Sequence, residues 1–328
     1  MNSTITSVPG IEAGHYTDLD NATGCTVVIC RSGAVGGVDV RGGSPGTRET
    51  DLLQPARRVD QLFAVSLSGG SAFGLDAASG VVAWLEEQGV GFRVSPEVIV
   101  PIVSSAIIYD LGLVNSKVRP GPSEGRAACA AASGKVLAEG TVGAGTGATV
   151  AKTSGTPRAV KGGLGSASMR FPNGVSVGAV VAVNSIGGIW DYRTGQLVAG
   201  PRRGDGRFDD PVGVLLDGSP PASPTGPVNT TIGVVATDAK LNREEANYLA
   251  RVSHDGLAMS IRPCHTIRDG DTMFAMATGE SDAQFDLTSL GAAAVEVTAQ
   301  AILRAVRLAT GLGGIPSVSE LRACPGEG

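Results

Sequence analysis

Short apolar runs the length of buried strands alternate along this chain with longer Ala-rich stretches, and glycine or proline marks most of the junctions. Cys25–Cys30 (CTVVIC), Leu62–Leu67 (LFAVSL), Val175–Asn184 (VSVGAVVAVN), Thr230–Ala236 (TTIGVVA) and Met273–Ala277 read as buried strands. Val98–Val103 reads as another, which Pro101 confines to an edge or a bulge. After Gly69 and Gly70, SAFGLDAASGVVAWLEEQG reads as an apolar helix stopped at Gly89, and Ala127–Ala138 as a second, small-residue helix. Asn242 with Glu245 forms a capping-box pair, and Leu241 with Ala246 a hydrophobic staple. The helix they open puts Ala246, Leu249, Ala250, Ser253 and Leu257 on one face. Leu290–Thr310 is a long Ala-rich helix closed by Gly311; being apolar almost all round, it is expected to lie buried between layers. This order of elements predicts an α/β sandwich with helix layers outside sheets.

Composition narrows what such a sandwich does. Of 328 residues, 42% are hydrophobic and only 17% charged, so the chain can bury a large core. Its net charge of −5 argues against a general electrostatic hold on nucleic acid or anionic lipid. The N-terminal stretch has no basic region followed by an apolar one, and no apolar run approaches bilayer length, so a cytoplasmic protein without a membrane partner is expected. Cys25, Cys30, Cys129, Cys264 and Cys324 are scattered and form no C-x-x-C pair, which disfavours a disulfide scaffold or a zinc ribbon. His15, His254 and His265 include no i, i+4 pair; each reads as a hydrogen-bonding histidine, and no metal is expected. The glycine-rich Gly140–Ala148 (GTVGAGTGA) contains G-x-G-x-x-A, yet no acidic residue closes a βαβ unit about 20 residues on and no GK[ST] follows. It reads as a tight turn against packed backbone. Around Ser71, GGSAFG has Phe73 where a nucleophile elbow needs glycine.

The segment from Ser185 to Val228 differs in texture, with Arg202, Arg203, Asp205, Arg207, Asp209 and Asp210 among glycines and SPPASPTGP after them. It reads as an exposed, mobile loop or linker. It ends abruptly at Asn229-Thr230-Thr231-Ile232, where a buried strand begins. A Thr hydroxyl held against the preceding carbonyl can attack it and exchange the amide for an ester. Hydrolysis of that ester frees Thr230 as a new N-terminus, uniting a nucleophile with an α-amine of pKa about 7.7–8.0 in one residue. On local pattern alone, Asn-Thr-Thr before a strand is more often just a turn with a β-branched start.

The junction gains meaning from its surroundings. Asn229-Thr230-Thr231-Ile232, then HDGLAMSIRP, His265-Thr266 and Asp269-Gly270-Asp271-Thr272, resemble the self-cleaving hydrolase family of the D-aminopeptidase DmpA, the β-peptidyl aminopeptidases and the nylon-oligomer hydrolases. RGGSPGTRETDLL at Arg41, LSGGSAFGL at Leu67, SSAIIYDLG at Ser104, GTVGAGTGA, KGGLGSAS at Lys161 and VVAVN ending at Asn184 extend the resemblance over most of the chain. It implies a four-layer α/β/β/α sandwich similar to N-terminal-nucleophile hydrolases, one hydrolase domain cleaved into 1–229 and 230–328. It further implies Thr230 as nucleophile and Asn229 as the residue cleaved from it. Asn184 matches an amide that supports the oxyanion, Tyr109 an active-site tyrosine, and Lys161 a lysine tuning the nucleophile, with Lys152 a second candidate in a variable stretch. Asp269 and Asp271 match two acids around the nucleophile; as a bare pattern they are an Asp-Gly turn capping a strand. A Thr nucleophile with two acids resembles the nylon-oligomer branch. The expected activity is amide hydrolysis of small peptides or oligoamides through an acyl-enzyme, without a cofactor, in a homo-oligomer of cleaved heterodimers. The alternatives are an N-terminal-residue aminopeptidase, an acyltransferase resembling the ornithine acetyltransferases, and a binding fold whose cleavage is purely maturational.

Overall fold

The structure, a computed structural model, describes residues 2–217 and 229–323. Nine strands form one hydrogen-bonded path: β1 (Glu12–Asp18), β2 (Thr23–Val40), β3 (Thr47–Arg48), β4 (Gln61–Ser68), β5 (Val103–Ile107), β6 (Gly163–Arg170), β7 (Ser176–Asn184), β8 (Thr230–Thr237) and β9 (Thr272–Ala277). Their order is β6-β7-β8-β9-β2-β4-β5-β3, with β1 also on β2. The path is continuous because β2 is eighteen residues long and serves two layers. Its first half pairs with β1 and β4, its last residues with β9, and its register with β4 shifts between Ile29 and Ala34, where Gly33 adopts φ +82°.

Alternation along the strands separates three cores, as four layers require. Val180, Ala182, Ile232, Val234, Phe274 and Met276 face Val28, Leu62, Val65 and Leu67 in the middle core, between the two sheets. The intervening Val177, Ala179, Val181, Val235, Met273 and Ala275 pack outward on the helix layer of α4 (Arg243–Ser260) and α5 (Leu287–Arg307). On the other side Cys25, Val27, Ile29 and Phe63 pack on α1 (Ala77–Glu87) and α2 (Pro122–Ala130). The fold is therefore an α/β/β/α sandwich. Glycine permits the tight helix–sheet approach: a Cβ at Gly165 would lie 2.1 Å from the Ala301 carbonyl oxygen on α5.

Several local expectations need correction. The second helix starts earlier, at Pro122, because Glu124 Oε2 accepts from Gly121 N at 2.8 Å and proline suits the first turn; it is over by Ala131, and Ser133 bridges to Ala13. Pro101 splits Val98–Val103, leaving Ile99–Val100 and a β5 that runs on to Ile107 between β4 and β3. The helix α5 lies in an outer layer and not between layers; its alanines are apolar but small, and Ala292 is exposed. The Ser185–Val228 segment is not an exposed loop at its start, since Ile186, Ile189, Val198 and Ala199 are buried and Gly188–Trp190 pairs with Leu197–Ala199 and Ile261–Arg262. A short helix, α3 (Pro211–Leu216), follows, capped by Asp210; residues 218–228 of the linker lie outside the described residues. The capping box at Asn242 and Glu245 is present in both directions, at 3.0 and 2.8 Å.

Candidate active site

Adjacent antiparallel strands bring the two ends of the anomalous segment together: β7 ends at Asn184, β8 begins at Thr230, and the two residues are register partners. Thr230 is only 4% exposed. Its Oγ1 donates to the carbonyl oxygen of Asn229, the peptide bond it would have to attack. That same carbonyl accepts from Gly270 N at 3.0 Å, and Asn229 bridges to Asp269 in a parallel extension of the sheet. The Thr230 hydroxyl and the Asn229 carbonyl are thus held side by side, and that carbonyl is polarised by a backbone donor. Gly270 leaves the room for this: a Cβ there would stand 2.8 Å from Thr230 Oγ1 and 2.6 Å from Ser44 O.

The two acids are buried and serve different partners. Asp271 Oδ1 accepts from Thr231 N at 2.7 Å, so one carboxylate fixes the residue next to the nucleophile. Its Oδ2 accepts from His265 N at 2.9 Å and from His265 Nδ1 at 2.8 Å. Asp269 accepts from Thr266 N at 3.0 Å and from the Thr266 hydroxyl. Burial, and then the neighbouring Asp271, push the Asp269 carboxyl up to about 6, with the Thr266 bonds opposing. The Arg41–Ser44 strip closes this loop from outside, with Arg41 N on Asp271 O at 3.0 Å and Ser44 N on Asp269 O at 2.8 Å.

On the other side stands a lysine, and it is Lys152. Its Nζ donates to Asn184 Oδ1 at 2.8 Å and to Asn184 O at 3.0 Å. Thr149 N donates to the same Oδ1 at 3.0 Å, and Asn184 Nδ2 donates to the Tyr109 carbonyl at 3.1 Å. Burial lowers the Lys152 ammonium from the usual lysine range to about 7, with Asp269 pulling it back up. Lys161, the first choice from sequence, is also fully buried but is spent elsewhere. Its Nζ donates to Gly145 O, Ala148 O and Gly162 O at 3.1, 2.9 and 3.0 Å, pinning the glycine-rich turn. It lies behind the loop that presents Thr149, whereas Lys152 touches Asn184 itself. Tyr109 meets Asn184 through its backbone carbonyl, not its ring.

Three contributors escaped the sequence reading. Gly270 looked like a turn glycine, Thr266 like part of a motif, and His265 like an ordinary hydrogen-bonding histidine. His15, held by Thr26 and the Ala138 carbonyl, and His254, on the Asp39 carbonyl, are hydrogen-bonding histidines. Among the described residues no cluster of three His, Cys, Asp or Glu side chains gathers as a metal site.

A buried hydroxyl, two acids, an amide and a lysine thus meet at one sheet end of a four-layer α/β/β/α sandwich. Peptidase family S58 matches residues 3–318, and the chain belongs to that family. It is 44% identical, over 97% of its length and 93% of the relative's, to a protein of Mycobacterium leprae described as an uncharacterized aminopeptidase. A 6-aminohexanoate-oligomer endohydrolase of Kocuria sp. is 32% identical over 91% of this chain and 84% of its own. In fold it is similar to the L-aminopeptidase D-Ala-esterase/amidase of Ochrobactrum anthropi, described as a variant of the Ntn hydrolase fold, with TM-score 0.72 at 20% identity, covering 98% of this chain and 93% of that one.

Proposed function

We propose that this peptidase is made as one chain, cleaves itself between Asn229 and Thr230, and then hydrolyses amide bonds of small peptides or oligoamides through an acyl-enzyme on Thr230. The observation that carries the reading is the pairing of Thr230 Oγ1 with the Asn229 carbonyl while Gly270 N donates to that same oxygen. In the first reaction Oγ attacks the Asn229 carbonyl carbon, and the negative charge that develops on oxygen falls on the Gly270 N–H. The C–N bond then breaks, leaving an ester to Thr230 and a free α-amine on it. Water hydrolyses the ester to the carboxylate of Asn229. Before cleavage Thr230 has no amine, so another group must take the hydroxyl proton; Lys152, lowered to about 7, is suited to do so near neutrality.

After cleavage the α-amine is the base. Thr230 Oγ attacks the substrate carbonyl, the amine carries its proton to the leaving nitrogen, and water releases the acyl group. Asn184, opposite Thr230 and bonded to Lys152, supports the oxyanion, and Asp269 and Asp271 orient the amine end of β8. Relatives described as aminopeptidases and as an oligomer endohydrolase frame the substrate class. The acyltransferase reading predicts that an added amine captures the acyl group faster than water. The test is to quench the wild-type protein with an activated ester and weigh its fragments. An added acyl mass confined to residues 230–328, released by later hydroxylamine and absent from Thr230→Ala, supports the reading; an acyl group on 1–229 contradicts it.

A further inference from the structure

His265 takes no part in the mechanism above, yet it is among the most constrained side chains beside it. It is one of six described non-glycine residues with positive φ, at +55°. That left-handed backbone, which histidine tolerates better than most residues, turns both its N–H and its ring Nδ1 onto one oxygen of Asp271, at 2.9 and 2.8 Å. The other oxygen of Asp271 accepts from Thr231 N at 2.7 Å. The ring is therefore two hydrogen bonds from the backbone of the residue that follows the nucleophile.

The far side of the ring is equally particular. His254, fully buried on α4, stands edge-on to His265 with ring centroids 4.8 Å apart. His254 Nε2 lies 2.9 Å from the carbonyl oxygen of Asp39, so it is the protonated nitrogen and leaves Nδ1 as an acceptor. Both His254 Nδ1 and His265 Nε2 are buried without a hydrogen-bond partner. The two rings therefore meet edge-on without a hydrogen bond between them. The charges around them are accounted for on every side. On β2 and the strip after it, Asp39 is paired with Arg41 at 2.7 Å; on α4, Asp255 faces Arg41 at 4.0 Å; on its own loop His265 has Cys264, Asp269 and Asp271. Burial alone would lower the His265 ring, but the bonds to Asp271, with Cys264 adding, raise it to about 10, whereas burial takes His254 down to about 4. Asp271 thus favours the protonated form of the His265 ring, while burial favours the neutral form of the His254 ring against its edge.

Resting on the Thr230 reading, we propose that His265 is a positioning residue for the nucleophile: its backbone N–H and ring Nδ1 clamp Asp271, and Asp271 holds the reactive end of β8 through Thr231. Asp269, pushed up by burial and by its neighbour, is the carboxylate free to exchange a proton during turnover.

Two variants of the full chain test this. His265→Gly removes the ring and keeps the positive φ at no steric cost, so the loop is retained. His265→Asn also tolerates that φ and restores a neutral donor toward Asp271. The expected result for the glycine variant is kcat lowered about 10–100-fold with KM within about twofold, the scale of a misplaced reacting group. The acid limb of kcat/KM should move to higher pH, because Asp269, already pushed up by burial and by Asp271, stays protonated to higher pH without the cation. The asparagine variant should recover part of kcat but not the limb, since the donor returns without the charge. Nitrogen NMR supplies a readout apart from activity: of three histidines, one should stay imidazolium to pH 8, and that signal should vanish in His265→Asn and titrate near neutrality in Asp271→Asn. An unmoved pH profile with wild-type kcat in both variants, or no persistent imidazolium, overturns the proposal. Thr230→Ala separates the two readings: if it is inactive while His265→Gly behaves as wild type, only the clamp is wrong, and if it is active the nucleophile assignment falls first.

Discussion

Replacing Gly270 by alanine places one methyl group against the nucleophile. The added Cβ would stand 2.8 Å from Thr230 Oγ1, 2.6 Å from Ser44 O and 3.2 Å from Pro45 Cα. Ordinary carbon contacts begin near about 3.5 Å, so roughly 0.7 Å must be found at the hydroxyl. Ser44 and Pro45 obstruct through backbone, which gives little, and Ser44 N is itself tied to Asp269 O at 2.8 Å. Thr230 Oγ1 is the movable party. Overpacking of this kind costs about 1–3 kcal/mol, and a displacement approaching 1 Å at reacting atoms costs up to about 100-fold in rate. Gly270 does not have a positive φ, so alanine adds no backbone strain of its own. Gly270→Ala should therefore fold, melt a few degrees lower, and self-cleave at least about tenfold more slowly. Denaturing gels sampled over time after synthesis, with circular dichroism on the same preparation, read both quantities. Wild-type cleavage at an unchanged melting temperature would refute the placement of Gly270 beside the hydroxyl.

Other perturbations separate the buried groups. Lys161→Met removes a donor shared by three buried carbonyls; Gly145 O keeps Ala148 N at 3.2 Å and Ala148 O keeps Gly162 N at 2.9 Å, so the loss falls mainly on Gly162 O and should cost about 1–3 kcal/mol in urea unfolding, and a loss under about 0.5 kcal/mol would contradict its role as the pin of the glycine-rich turn. Lys152→Met should slow self-cleavage and remove the rise in its rate through pH 7, because wild-type Lys152 becomes neutral as pH passes about 7; an unchanged profile would exclude it as the proton acceptor. For Asp269 the folded value of about 6 lies above the unfolded 3.8, so its ionisation opposes folding increasingly from pH 4 to pH 6 and fully above. Asp269→Asn should accordingly gain melting temperature over wild type at pH 8, lose that gain at pH 4, and lose activity at both; a gain at pH 4 instead would reverse the assignment.

What the sequence conveyed depended on the range of the physics involved. Strands β4, β7, β8 and β9 were legible because their apolar runs are short and set off by glycine and polar residues, those of β7 and β8 being β-branched as well, and the α4 cap because Asn242 and Glu245 lie three residues apart. The meeting of Asn184 with Thr230 was not legible from pattern, since it needs the β7–β8 register across a forty-five-residue excursion. Local texture misled where tertiary cover intervened: glycine and charge after Ser185 suggested exposure, yet Ile186 and Ile189 are buried under a small sheet. The two lysines illustrate the limit most plainly. Lys152 and Lys161 sit in similar Gly- and Ala-rich surroundings, and only the turn at Lys152–Ser154 aims one of them at Asn184. For His265 the missing signal was a backbone one, a positive φ that no side-chain pattern announces.

The central claim is that Thr230 becomes an N-terminus by its own attack, and the intact mass of the denatured protein tests it most directly. The account predicts two species from the wild-type chain, residues 1–229 and 230–328, which elute together before denaturation. It predicts one inactive species of 32.9 kDa from Thr230→Ala. A wild-type protein that remains a single 32.9 kDa chain while hydrolysing amides would contradict it.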